Sequence, residues 1–109
     1  MRINRLGIDR HTQTMTIYQD DEAAAAWAVS TSTRAWKGDT VAISRGVRLH
    51  RQDRPLTWTI RLANGIALGG ADWHNEFGTP RETASIEMHP YLAKWLYHHL
   101  ADGATIDII

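Results

Sequence analysis

The stretch from Val47 to Asp72 constrains the fold more than any other part of the chain, because it reads as three consecutive antiparallel strands. Trp58, Ile60 and Leu62 alternate with Thr57, Thr59 and Arg61. That alternation marks a half-buried strand. A two-residue turn at Asn64-Gly65 would set Leu62 opposite Ala67 and send Ile66 and Leu68 to the arginine face. A three-residue loop, Ala63-Asn64-Gly65, keeps Leu62 facing Ile66 and Ile60 facing Leu68, with Trp58 over Gly70. Gly65 then takes the left-handed conformation that a Cβ would disfavour.

The same parity runs upstream. It pairs Leu49 with Trp58 and Val47 with Ile60 across a loop from Gln52 to Pro55. Val41 and Ile43 share that parity, which suggests one long strand bent near Gly46. The opposite face gathers Arg48, His50, Thr57, Thr59, Arg61, Ala67 and Gly69. It is polar and basic over a floor of small residues.

The remaining elements follow from local pattern. Gln13 to Tyr18 reads as a strand. Asp20-Asp21-Glu22 followed by four alanines predicts a helix over about 21–34; a strand through Trp27 to Thr31 is the alternative. Thr83 to Met88 alternates, with Ala84, Ile86 and Met88 inward. Pro90 opens a helix over about 90–102 with Leu92, Ala93, Leu96 and Leu100 as its buried stripe, closed by Gly103. Residues 104–109 return as a strand. The expected fold is one α+β domain over 1–109: an antiparallel sheet with its meander at about 40–72, the C-terminal helix packed on one face, and the N-terminal helix.

The chain has no cysteine, which removes disulfides, thiolate nucleophiles and cysteine-rich zinc sites together. No apolar run approaches the ~20 residues that span a bilayer, and no secretory signal is legible at the N-terminus. A cytoplasmic protein without membrane contact or cofactor is expected. Net charge is zero, yet residues 1–61 carry ten Lys/Arg and six Asp/Glu while residues 62–109 carry two and six. Such a division gives a folded surface two poles.

Chemistry-bearing motifs are few. Asp72, His74 and Glu76 share one side of an extended strand and could hold a divalent metal, with His89 as a further nitrogen. His98 and His99 diverge by about 100° on a helix, so they do not chelate one ion. Gly69-Gly70 lacks the lysine of a phosphate loop, and no serine stands in a Gly-x-Ser-x-Gly setting.

The basic face is the best binding candidate. The sequence therefore suggests a small non-catalytic protein-binding module, such as a phage or prokaryotic inhibitor or anti-defence (anti-CRISPR-like) protein. It would dock an acidic protein surface through Arg48, His50, Arg51, Arg54 and Arg61, with Trp73 as an aromatic anchor. The alternatives are a nucleic-acid-binding accessory protein, or a small metal-dependent hydrolase using the Asp72–Glu76 cluster.

Overall fold

A computed structural model describes residues 2–33, 37–49, 56–81, 83 and 85–109. Among the described residues, eight strands and one helix appear in the order β1 (Ile3–Asp9), β2 (Thr14–Gln19), β3 (Glu22–Ala28), β4 (Gly38–Leu49), β5 (Leu56–Leu62), β6 (Ala67–Gly70), β7 (Ser85–Met88), α1 (Pro90–His99) and β8 (Leu100–Ile108). They form a single sheet in the spatial order β3-β2-β1-β8-β4-β5-β6-β7. The β1–β8 and β6–β7 pairs are parallel and the rest antiparallel. The sheet curls into a half-barrel with the helix against β5 and β6.

This mixed sheet corrects the antiparallel α+β meander expected from the sequence. Strands β4, β5 and β6 do run antiparallel, but they are one flank of a larger sheet. Its centre is β8, the last strand, inserted between β1 and β4. That placement unites the two ends of the chain, a pairing no local pattern encodes.

The N-terminal helix is also corrected. Asp20 and Asp21 both take positive φ, +51 and +64, and Gln19 pairs with Glu22. That is a two-residue hairpin turn of the kind whose twist suits two adjoining strands. The acids that resemble a helix start are turn residues. The alanines beyond them pair with β2, and tertiary pairing overrides their helix propensity. The strand alternative lies nearer, but β3 begins at Glu22.

The helix stops at His99 rather than near 102. Leu100 is fully buried, adopts extended backbone and pairs with Ile3 at once. Gly103 does not cap the helix. It lies at φ +78 within β8, where register jumps from Ile3↔Leu100 to Arg5↔Thr105. The helix starts on the side chain of His89, which accepts the Tyr91 N–H, and on Pro90 in its first turn.

The 63–65 loop has the expected form. Leu62 N–H donates to the Ile66 carbonyl at 2.8 Å, Gly65 has φ +92, and Ile60 pairs with Leu68. The register then shifts at a bulge: Gly70 pairs with Thr57, and Trp58 has φ +52. Across β4, Leu49 pairs with Leu56 and Arg45 with Ile60, two residues away from the expected register but on the same parity. The expected loop from Gln52 to Pro55 lies outside the described residues. Val41 and Ile43 are exposed while Ala42 is buried, since the ladder is also irregular between Ala42 and Ser44.

A core cluster runs across the sheet from β2 to β7, from Met15 and Ile17 through Leu6, Ile8, Ile106 and Ile108 to Ile60, Leu68, Ile86, Met88 and Leu96. Arg45 closes the C-terminal end of α1. It donates to the carbonyls of Tyr97 and Leu100 and pairs with Asp102 at 2.8 Å. A cation there meets unsatisfied carbonyls at the negative end of the helix dipole. Arg45 thus serves the fold.

The turn from β1 to β2 carries a pH dependence. Asp9 Oδ1 accepts the N–H groups of His11 at 2.9 Å and Thr12 at 3.2 Å. Chiefly the Thr12 N–H, with the His11 N–H adding to it against opposing desolvation, holds the Asp9 carboxyl below its ordinary range. A carboxyl depressed in the folded state contributes stability above its unfolded pKa of about 3.9 and loses it as pH falls through the folded value. Asp9→Asn should therefore lower the melting temperature slightly at neutral pH. The gap to wild type should close on acidification below about pH 4, as followed by thermal melts across pH.

Candidate functional site

Strand β7 alternates. Ile86 and Met88 enter the core, so Ser85 and Glu87 turn to the opposite face of the sheet. There Ser85 stands beside Ala67, and Glu87 beside Gly69. A Cβ on Gly69 would lie 2.9 Å from Leu56 Cβ and 3.1 Å from Thr59 Cγ2, so this close approach requires glycine. The floor of small residues read from the sequence is real, but it is covered: Leu56, Thr59, Ala67, Ser85 and Glu87 are all buried.

Glu87 is the centre of a polar network. Its side chain is only 6% exposed and that of His74 only 7%. Glu87 Oε1 lies 2.8 Å from His74 Nε2, and Oε2 accepts the Thr83 hydroxyl at 2.8 Å. His74 Nδ1 accepts the Glu76 N–H at 3.0 Å. A nitrogen that accepts carries no proton, so the imidazole is the neutral tautomer with its proton on Nε2, donated to Glu87. Thr83 has one hydroxyl proton and gives it to Glu87. Ser85 Oγ, 3.2 Å away, is therefore the donor to Thr83 Oγ1. The chain of bonds runs Ser85 to Thr83 to Glu87, with His74 on the far carboxylate oxygen.

The loop between β6 and β7 is pinned around this network. Ser30 and Glu87 exchange both backbone hydrogen bonds, at 2.8 and 2.9 Å, and Ser30 Oγ donates to the Glu76 carbonyl. Arg81 pairs with Glu76 at 2.7 Å, and its Nε stands 3.6 Å from Glu87 Oε1. A buried carboxylate so held is satisfied and fixed in direction. A hydroxyl hydrogen-bonded to a carboxylate that a third group orients has the form of a nucleophile with its general base.

Of the sequence-derived binding candidates, His50, Arg51 and Arg54 lie outside the described residues. Arg48 stands on β4 opposite Thr57. Arg61 is exposed on β5. Trp73 is half-buried with its ring against His74, and the more open tryptophan is Trp27, at 38%. Of the metal candidates, Asp72 is exposed, Glu76 pairs with Arg81, and both nitrogens of His74 are engaged. Among the described residues no group of three or more His, Cys, Asp or Glu is placed to hold a metal ion. His98 is exposed beside Trp58, and His99 stacks on Trp95 at 4.3 Å.

Sequence reasoning missed Thr83, Ser85 and Glu87. The signal was present: with Ala84, Ile86 and Met88 inward, these three share the other side of one strand at i, i+2 and i+4.

No family model and no curated protein sequence matches the chain. Solved structures do. An L,D-transpeptidase from Mycobacterium smegmatis superposes with a TM-score of 0.84 at 16% identity, covering 96% of this chain and 58% of that one. The catalytic domain from the E. faecium L,D-transpeptidase superposes at 0.77 and 16% identity, covering 100% and 98%. An Enterococcus faecium L,D-transpeptidase carrying a cysteine-to-serine mutation gives 0.77 at 15% identity, covering 100% and 50%. The chain thus spans about half to three fifths of the longer transpeptidase chains and nearly all of an isolated catalytic domain.

The architecture is that of L,D-transpeptidase catalytic domains. This likeness overturns the expectation of a non-catalytic inhibitor or anti-defence module, which rested on the basic face and the scarcity of motifs. It equally leaves the nucleic-acid and metal-hydrolase alternatives without support. Among the described residues, no helix is long and apolar enough to cross a membrane.

Proposed function

We propose that this domain performs acyl transfer on peptide bonds of peptidoglycan-type substrates, through a hydroxyl in place of a thiol. The observation that carries the reading is the 2.8 Å bond from Thr83 Oγ1 to Glu87 Oε2, with His74 fixed on Oε1, in a transpeptidase fold. The chain contains no cysteine, so a thioester route has no residue to run through. Thr83 is the more accessible hydroxyl; Ser85 is buried behind it.

Chemically, Thr83 Oγ1 attacks the substrate carbonyl while Glu87 Oε2 takes its proton. Collapse expels the amine, which recovers that proton from Glu87. A second amine, or water, then attacks the Thr83 ester with Glu87 again as base, and the hydroxyl is restored. His74 donates to Glu87 throughout and keeps the carboxylate aimed at Thr83. Ser85 fixes the Thr83 rotamer.

The test is incubation of the purified chain with peptidoglycan fragments, read by mass spectrometry for exchanged or cleaved peptides and for an ester adduct on the protein. Thr83→Ala should abolish the adduct and lower turnover by about 10²-fold or more. Turnover unchanged in that variant would refute Thr83 as the nucleophile. Absence of turnover by wild type would refute the reading as a whole.

A further inference from the structure

Apart from the Glu87 network, the molecule carries a cleft of about 610 Å³ lined by Trp27, Ala28, Phe77, His89, Tyr91, Leu92 and Trp95. That volume is in the range of small-molecule sites. We infer that this cleft binds a neutral saccharide.

Four observations support it. First, the lining is dominated by rings. Trp27 meets Trp95 edge-to-face at 5.9 Å, and Tyr91 stacks on His89 at 5.3 Å. Second, two of these rings are left in water at a cost the fold does not require. Tyr91 is 81% exposed in the first turn of α1, and Trp27 is 38% exposed on the edge strand β3. Isolated exposed aromatics are ordinary, but several converging on one concavity mark a recognition surface. Third, among the described residues no Asp, Glu, Lys or Arg lines the cleft, so none of them would pair there with an anionic or zwitterionic ligand. Fourth, the rings carry polar tips. The Nδ1 of His89 accepts the Tyr91 N–H, so Nε2 carries the proton and can donate. The Tyr91 hydroxyl and indole N–H groups add further partners.

A pyranose has the complementary surface: a face of C–H bonds to lie on an aromatic ring, and hydroxyls around its rim to meet donors and acceptors. A wholly apolar ligand would leave those polar tips without partners.

The cleft adjoins the Glu87 network through Phe77, which packs on the His74 ring at 4.8 Å. A glycan seated here would bring an attached peptide towards Thr83. For the identity of the polymer the inference rests on the function proposed above; the binding itself is tested separately.

The experiment is calorimetric titration of the Thr83→Ala protein with a β-1,4-linked N-acetylglucosamine tetramer, so that no turnover intervenes. Saturable binding is expected, weakened about tenfold by Tyr91→Ala and by Trp27→Ala, the loss of one stacking contact. Tyr91 buries too little to affect folding, so its variant keeps the test decisive even if Trp27→Ala is destabilised. No saturation into the millimolar range would overturn the inference, as would equal affinity in the Tyr91 variant. Tighter binding of choline would also overturn it, because it would make the cleft a cation cage. Saccharide binding together with no peptidoglycan turnover by wild type would refute only the acyl-transfer reading.

Discussion

Leu96→Ala is expected to lower the unfolding free energy by about 2–5 kcal/mol, while His98→Ala two positions on leaves it nearly unchanged. Leu96 is 1% exposed, and it joins the core cluster together with Ala93. The helix packs on β5 and β6, where Gly70 leaves no room for adjustment: a Cβ there would stand 2.8 Å from Pro90 Cα and 3.3 Å from Ala93 Cβ. A helix that close to its sheet cannot sink further to fill the space of a lost isobutyl group, so the cavity should persist and the cost should lie towards the upper part of the range. His98 faces solvent, with its ring beside those of Trp58 and Tyr97. Urea denaturation of the two variants checks the difference. Equal losses would mean that the buried stripe of the helix is misplaced.

That stripe was legible because it is local. Leu92, Ala93, Leu96 and Leu100 repeat at helical spacing, and three of the four are buried as expected, with Leu92 half-buried. The 63–65 loop was legible for the same reason: only one loop length keeps Leu62 and Ile66 together. What failed was non-local. Alanines 23 to 26 carry helix propensity in isolation, but β2 offers them a paired edge that their own sequence does not encode. Leu100 fits either a helix end or a strand start, and its parallel partner Ile3 lies at the other end of the chain.

The site failed in a similar way. Thr59, Ala67 and Gly69 were placed on the correct face by parity. However, the residues that give that face its chemistry arrive with β7, which lies parallel to β6 after a crossover of fourteen residues, 71–84. His74 stands within an Asp-His-Glu run, but the carboxylate it meets is that of Glu87, thirteen positions on, and from the run it takes only the Glu76 N–H. Cations spent inside the fold are equally illegible locally: Arg45 caps a helix, Arg5 pairs with Asp107 at 2.7 Å, and Arg81 braces Glu76.

Glu87→Gln is expected to reduce peptidoglycan-fragment turnover by about 10²–10⁴-fold, the contribution of a positioned general base, while leaving the fold in place. The two effects separate because the network can be rebuilt without the charge. In the variant, the amide oxygen would accept from His74 Nε2, and the amide nitrogen would face Thr83. The Thr83 hydroxyl would turn to accept from it and donate to Ser85, 3.2 Å away. The side-chain polar atoms of the network would each keep a partner, so the cost in stability is that of one charge-assisted bond exchanged for a neutral one, about 1 kcal/mol. What cannot be rebuilt is the proton acceptor: the variant has no group beside Thr83 to take its hydroxyl proton. His74→Phe serves as the contrast. It removes the hydrogen bond that orients Glu87 but spares the carboxylate itself, so it should lower turnover less than Glu87→Gln and cost more stability, since among the described residues Oε1 would then retain Arg81 Nε alone, at 3.6 Å. Turnover and urea stability measured on both variants give the comparison. If Glu87→Gln turns over substrate as wild type does, the buried carboxylate is a structural anchor for His74 and Thr83, and the chemistry of this face lies in another group.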